Sequence, residues 1–385
     1  GLEWTVSRLN DDLKMLAAPS CATTGAVAES FPDRYLPMTA AGFTIDTTKR
    51  PSCSIAAGGA VTCSCPGAGV APTVGAADEP RFLIEFRTTG DPWSVEIVSW
   101  GCTNSGPPCT TGSTEPQDGQ AVVRALYKMK PSFPNAPGAG LVTGLSAVTG
   151  GNLRVINLDP KSNGITINSG ASVELGTGTD AITLAGTSPR ASVLDNDPSL
   201  NALTTADTTG DLFFSTFFSE TMAEFKGSEK TWLVTSASCT GVERCTTCAT
   251  AVACGTAISA AYDKGFQRFW AENDATFQNN LPAAGTLGTP TKPISIASPA
   301  SVELKGAMVA YGIIYAATAS ADGDWDYAGS GNGKIFGALV SRGAFNKGGT
   351  GTLDLIYDPN LFSPQSARGL MVRVPGSWRD SLNEL

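Results

Sequence analysis

Apolar residues in this chain fall into short alternating runs, set apart by glycine, proline and small polar residues. The last third shows the pattern most clearly. Within 294–358 a phrase returns as Gly306-Ala-Met-Val, Gly312-Ile-Ile-Tyr and Gly337-Ala-Leu-Val. Each copy is a few β-favouring residues opened by a glycine, too short for a helix and without a 3.6-residue period. One copy cannot bury its own apolar side, so the phrases predict stacked strands that lend backbone hydrogen bonds to one another. The spacing is irregular and does not demand a strict β-helix. Residues 140–148, 152–157, 164–168 and 171–175 have the same character, and the two stretches are expected to stack as one block.

The chain opens differently. Leu2, Val6, Leu9, Leu13 and Leu16 follow steps of four, three, four and three, which predicts an amphipathic helix over 1–16 that Pro19 ends. No capping side chain stands before it, so it is expected to be the cut end of a longer helix. Residues 81–87 and 93–99 alternate and predict two strands around a Thr89–Pro92 turn, followed by a strand over 120–128. Residues 52–55 and 61–66 predict two short strands held by a disulfide. An aromatic helix is expected over 211–225, capped by Asp207 or Thr209, then a helix over 256–262 and a strand over 265–270.

Composition narrows the class. The 385 residues exceed the usual single domain, with 43 glycines and only 16% charged residues, which suits a β-rich extracellular protein. The net charge of −9 argues against broad binding to nucleic-acid phosphates, though a local basic groove stays open. The chain has no histidine, which removes every Ser-His-Asp or Cys-His device. No apolar run reaches the roughly 18 residues that would span a membrane.

The ten cysteines are Cys21, Cys53, Cys63, Cys65, Cys102, Cys109, Cys239, Cys245, Cys248 and Cys254. In an oxidising setting they read as disulfides. The last four could instead place thiolates around zinc, and their pairing is open among three connectivities. Cys245 and Cys248 have redox-motif spacing but no βαβ setting. Asp322, Asp324 and Asp326 form a candidate Ca²⁺ set; as an EF-hand loop it fails, with Tyr327 at the sixth position and Gly333 at the twelfth. A solvated turn is the plain alternative. Phe213 with Phe217 and Phe214 with Phe218 lie on adjacent helix faces, so one pair is expected at the surface as a partner-binding patch.

Gly1-Leu2-Glu3-Trp4, then Arg8-Leu9-Asn10, resembles the N-terminal region of PilX-type minor pilins of type IV pili. The ordered set continues with Ser99-Trp-Gly-Cys102 before an Ala-Val strand, an aromatic helix, a cysteine pair, the Phe269-Trp270 strand, and Val372–Asp380 as a C-terminal strand and tail. Each motif is weak alone; together they cover nearly the whole chain. The resemblance implies an α+β, β-rich fold: a pilin-like N-terminal helix on an antiparallel sheet, here with an extended β-solenoid-like region of stacked strands. Four parts are expected, at 1–135, 136–206, 207–285 and 286–385. The implied function is a non-enzymatic component of the pilus tip and initiation complex, supporting assembly and adhesion. The implied partners are other minor pilins, the major pilin, a PilY-type tip adhesin and a host or surface receptor. No cofactor is expected beyond the candidate Ca²⁺. The implied location is the inner membrane and periplasm, then the extracellular pilus tip. Membrane contact would come only through the missing upstream helix. Two other classes stay open: a tip module binding extracellular DNA, and a carbohydrate-active β-solenoid enzyme.

Overall fold

The computed structural model describes the chain except residues 24–28, 40, 71, 73–78, 104–118, 243, 273–274, 278–285, 300–301, 305–307, 319–331, 348–350, 364–366 and 381–385, with backbone alone at 251, 275–277 and 302–304. It is β-rich with few helices, and it divides into two units: 1–130 with 369–385, and 131–368. The four-part division is therefore corrected. Residues 369–385 belong with the first unit, because Leu370–Arg373 pairs antiparallel with Gln120–Lys130. The expected second, third and fourth parts otherwise fall in one unit.

The first unit is a helix on an antiparallel sheet. Its six strands run in the order Leu370–Arg373, Gln120–Lys130, Ser94–Cys102, Arg81–Thr88, Ser52–Ile55 and Val61–Ser64. The helix α1 (Leu2–Leu9) buries Leu2, Thr5 and Leu9 in a core shared with Phe31, Phe86, Ile97 and Tyr127. It is half the expected length. Asn10 leaves the helix to bond the Met371 backbone, donating at 3.1 Å and accepting at 2.8 Å. The Asp11 carboxylate accepts from the Leu13 N–H at 3.0 Å, a local turn that competes with further helix. Lys14–Met15 then pairs as a strand with Glu29–Ser30. A helix this short depends on packing rather than propensity, so these polar bonds decide where it stops.

In the second unit every strand–strand pairing among the described residues is parallel. Leu141–Thr143, Ala147–Thr149 and Leu153–Ile156 make a first pass. Leu141 pairs with Ile167 and Ile167 with Val193, a step of 26 residues each time. Ala147 with Val173 and Arg154 with Asp180 keep the same step. The chain then leaves the stack through α2 (Pro198–Thr205), α3 (Asp211–Phe218) and α4 (Met222–Gly227). It re-enters at Thr231–Thr235 and adds Arg268–Ala271, Ile294–Ser298, Val309–Ala316 and Asn332–Ser341 in order. Asn332–Ser341 meets the first pass: Leu339 pairs with Leu141, and Thr352–Ile356 lies between its other half and Leu153–Ile156. The two stretches expected to form one block do pair.

The expected single aromatic helix is two. Asp207 accepts the Leu212 N–H at 2.8 Å at the start of α3, and Ser219 ends it in the left-handed region at φ 59°. Thr221 and Glu224 then open α4 with a reciprocal capping box.

Two glycines of the repeated phrase are dictated by the stack. Gly312 and Gly337 pair with each other at φ 138° and 126°. A Cβ on Gly312 would lie 1.9 Å from the Ile294 carbonyl oxygen, and one on Gly337 1.9 Å from that of Gly312. Gly306 lies outside the described residues. Gly337→Ala is expected to lower the free energy of unfolding by about 2–4 kcal/mol, combining backbone strain with a clash against main chain. Gly58→Ala, with nothing within 4 Å of the added carbon, serves as the neutral control. Urea unfolding checks both, and equal midpoints would refute the stacked-glycine account.

Candidate functional site

The structure pairs the cysteines. Cys239 bonds Cys245 and Cys248 bonds Cys254, so the zinc alternative gives way to two short disulfide loops. They flank Cys245–Thr247, a strand paired with Thr231–Thr235. The disulfide expected between the strands Ser52–Ile55 and Val61–Ser64 is formed by Cys53 and Cys63, directly opposite each other. Cys21 bonds Cys65 across 44 residues. Cys102 is also disulfide-bonded, and Cys109 lies outside the described residues. Among the described residues no cysteine is free.

The candidate Ca²⁺ residues Asp322, Asp324 and Asp326 lie outside the described residues. Among those described, no group of three His, Cys, Asp or Glu side chains is arranged to hold a metal, and no helix is long and apolar enough to cross a membrane.

The aromatic patch is corrected. Phe213, Phe214, Phe217 and Phe218 are all buried, none more than 5% exposed. Phe214 stacks on Phe218 at 4.4 Å, and both meet Tyr315 edge-on from the parallel strands. Helix α3 is covered on both of its aromatic faces, by Tyr315 and by Phe225 of α4 and Phe133. Leu212 is the side chain that this helix leaves exposed.

Buried charges fasten these helices. Arg268 donates to Glu220 at 2.8 Å, with both side chains less than a tenth exposed, and its guanidinium lies 4.2 Å from the Phe225 ring centre. Arg342 donates to the Thr204 and Asp207 carbonyls, so one side chain ties the end of α2 to the strands. A Cβ on Gly210 would collide with that guanidinium. The Thr209 hydroxyl and the Leu212 N–H hold the Asp207 carboxyl down at about 2. Each of these charged groups is bonded to another part of the same unit, which is structural work.

Two features remain that face outward. One is a groove of about 500 Å³ in the first unit, beside Gly1, with Arg81, Phe82, Ser99, Gln120 and Val123 in its wall. Its one charged side chain among the described residues is Arg81. The other is on the parallel sheet of the second unit. Alternate residues of five neighbouring strands align in two rows. One row reads Ile182, Ile156, Ile356, Phe336 and Tyr311; the other reads Asp180, Arg154, Asp354, Lys334 and Val309, of which Asp354 is buried. Tyr311 and Phe336 stack at 4.7 Å with planes 9° apart. The residues between the rows, Ala310, Ile335, Leu355 and Val155, are essentially inaccessible, as alternation across a pleat requires. The rows went unseen in the sequence because their members stand far apart in it and only the pairing register aligns them.

No family model matches this chain, and no curated protein does. Among solved structures, the competence-associated pilin ComZ from Thermus thermophilus matches over 89% of each chain at 11% identity, with a TM-score of 0.20. A superposition that loose carries no argument about shared fold or function.

Two expectations follow for stability. Arg268→Ala should cost about 3–5 kcal/mol by stranding a buried carboxylate, whereas Glu220→Leu with Arg268→Met should recover most of that loss. Denaturant titration of the single and double variants separates a true charge pair from two independent residues. Replacing Cys21 and Cys65 by Ser should cost about 4 kcal/mol, and replacing Cys53 and Cys63 about 3 kcal/mol, because the first pair closes the longer loop. The reverse order would show that loop entropy is not what these bonds contribute.

Proposed function

We propose that this chain is the head of a PilX-like minor pilin: a non-enzymatic subunit of the type IV pilus that takes part in its tip and initiation complex. The observation that carries the reading is the first unit. An apolar helix face lies on an antiparallel sheet, and two adjacent strands of that sheet, Gln120–Lys130 and Leu370–Arg373, are separated in sequence by the whole second unit. Such a framework supports a compact pilin-like unit that carries a large insertion without changing its own pairing.

In this reading the inserted parallel stack forms a solenoid-like head that is presented to partners. The partners are other minor pilins, the major pilin and a PilY-type tip adhesin, and the head contributes to adhesion to a host or surface receptor. Disulfides clamp loops of both units, which suits a subunit that is assembled outside the cytoplasm and bears load. The subunit would pass from inner membrane and periplasm to the extracellular filament tip.

Deleting the gene in its own host tests this. Loss or severe reduction of surface pili is expected, with recovery on complementation. An affinity-tagged, full-length subunit is expected to co-purify with minor pilins and the tip adhesin. The coding sequence ahead of Gly1 should specify an apolar segment following a prepilin-type cleavage site. Normal piliation together with no pilin in the purified fraction would refute the proposal.

A further inference from the structure

We propose that the outward rows of the parallel sheet are a self-association surface, and that its occupant is a second copy of this chain. The argument begins with strand order. Asp180–Ile182, Leu153–Ile156, Thr352–Ile356, Asn332–Ser341 and Val309–Ala316 are consecutive neighbours, all parallel and in register. Neighbouring strands lie about 4.8 Å apart, so the first four span about 15 Å.

Across those four strands one row is apolar: Ile182, Ile156, Ile356 and Phe336. Ile182 is 40% exposed, and the other three are half-buried by their neighbours. The row beside it alternates in charge: Asp180, Arg154, Asp354 and Lys334. Read backwards, that row gives the opposite sign at every step. A second copy turned about a two-fold axis parallel to the strands, between Leu153–Ile156 and Thr352–Ile356, therefore brings the exposed outer charges, Asp180 and Lys334, opposite each other at both ends. Asp180 faces Lys334, while Arg154 comes over Asp354, whose own exposure is only 3%. The same operation sets Ile182 against Phe336 and Ile156 against Ile356. Tyr311, stacked on Phe336, flanks the contact at each end.

The inner pair is already joined within one copy, Arg154 to Asp354 through two hydrogen bonds to its carboxylate. Its cross-copy gain is accordingly small. Asp180 and Lys334 are both exposed, and among the described residues no salt bridge within the chain engages either. They are the groups left to choose a partner. A turn about an axis along the rows would instead place each charge opposite itself, which like-charge repulsion disfavours. The alternation thus selects one relative orientation of the two copies, as an isologous interface requires. The strip is well below the roughly 800 Å² per partner of a standard stable interface, so the dimer is a weak one.

Sedimentation equilibrium on the whole chain, from about 10 μM to 1 mM, reads this out. A monomer–dimer equilibrium is expected in the upper part of that range. Phe336→Glu should weaken it at least tenfold. Asp180→Lys alone and Lys334→Asp alone should each weaken it about threefold to tenfold, since each change acts twice in a symmetric dimer. The double variant, Asp180→Lys with Lys334→Asp, should return to within about twofold of the parent. Both charged residues are exposed, so these variants test the surface even where Phe336→Glu fails to fold. A chain that stays monomeric up to 1 mM overturns the proposal. So does a dimer whose double variant is no stronger than the singles.

Discussion

Parallel pairing has a requirement that antiparallel hairpins escape: each strand must find its neighbour after a long crossover. In the second unit the whole arrangement rests on how that is met. The first passes build outward from Leu141 in steps of 26 residues. The later passes approach from Thr231, and the last of them closes on the first where Leu339 meets Leu141. The stack is therefore continuous in space although α2, α3 and α4 separate its first passes from the later ones in sequence. Close backbone approach follows from the same requirement, and it is why Gly312 and Gly337 stand where any Cβ would strike a carbonyl.

A chain with few charges uses several of them indoors. Arg34 is 2% exposed and bonds the carbonyls of Leu16 and Cys65 as well as the Glu29 carboxylate. Arg268 and Arg342 fasten helices in the second unit in the same manner. Each binds irregular backbone or a helix that the apolar core alone would leave loosely specified. Buried guanidinium groups suit this work because their donors reach several acceptors in a plane and stay charged. Disulfides do comparable work in loops, joining segments that have few apolar residues of their own. Together these ties are what the proposed filament role demands of an exposed head.

Much was legible locally. The strands expected at 81–87 and 93–99 followed from alternation and are found at Arg81–Thr88 and Ser94–Cys102, whereas the choice of Cys63 rather than Cys65 as the partner of Cys53 needed the register. Errors arose where distant residues intervened. Helix α1 stops early because Asn10 bonds Met371, a partner that lies at the other end of the chain. The phenylalanines of α3 have helical spacing that fits one buried face or two; Tyr315, Phe225 and Phe133 supplied the second cover. The outward rows had no local signature whatever, because each strand contributes one residue to a row.

The sequence by itself determined the alternating strands of the first unit and the expectation that short glycine-led strands would stack. Those properties depend on residues within a turn or a few positions of one another. Tertiary structure alone decided register: the 26-residue step, the meeting of first and last passes, and the line formed by Asp180, Arg154, Asp354 and Lys334. The reason is that a one-residue slip turns every side chain to the opposite face. Only the collective burial of many strands, summed over the whole stack, selects one register among the alternatives.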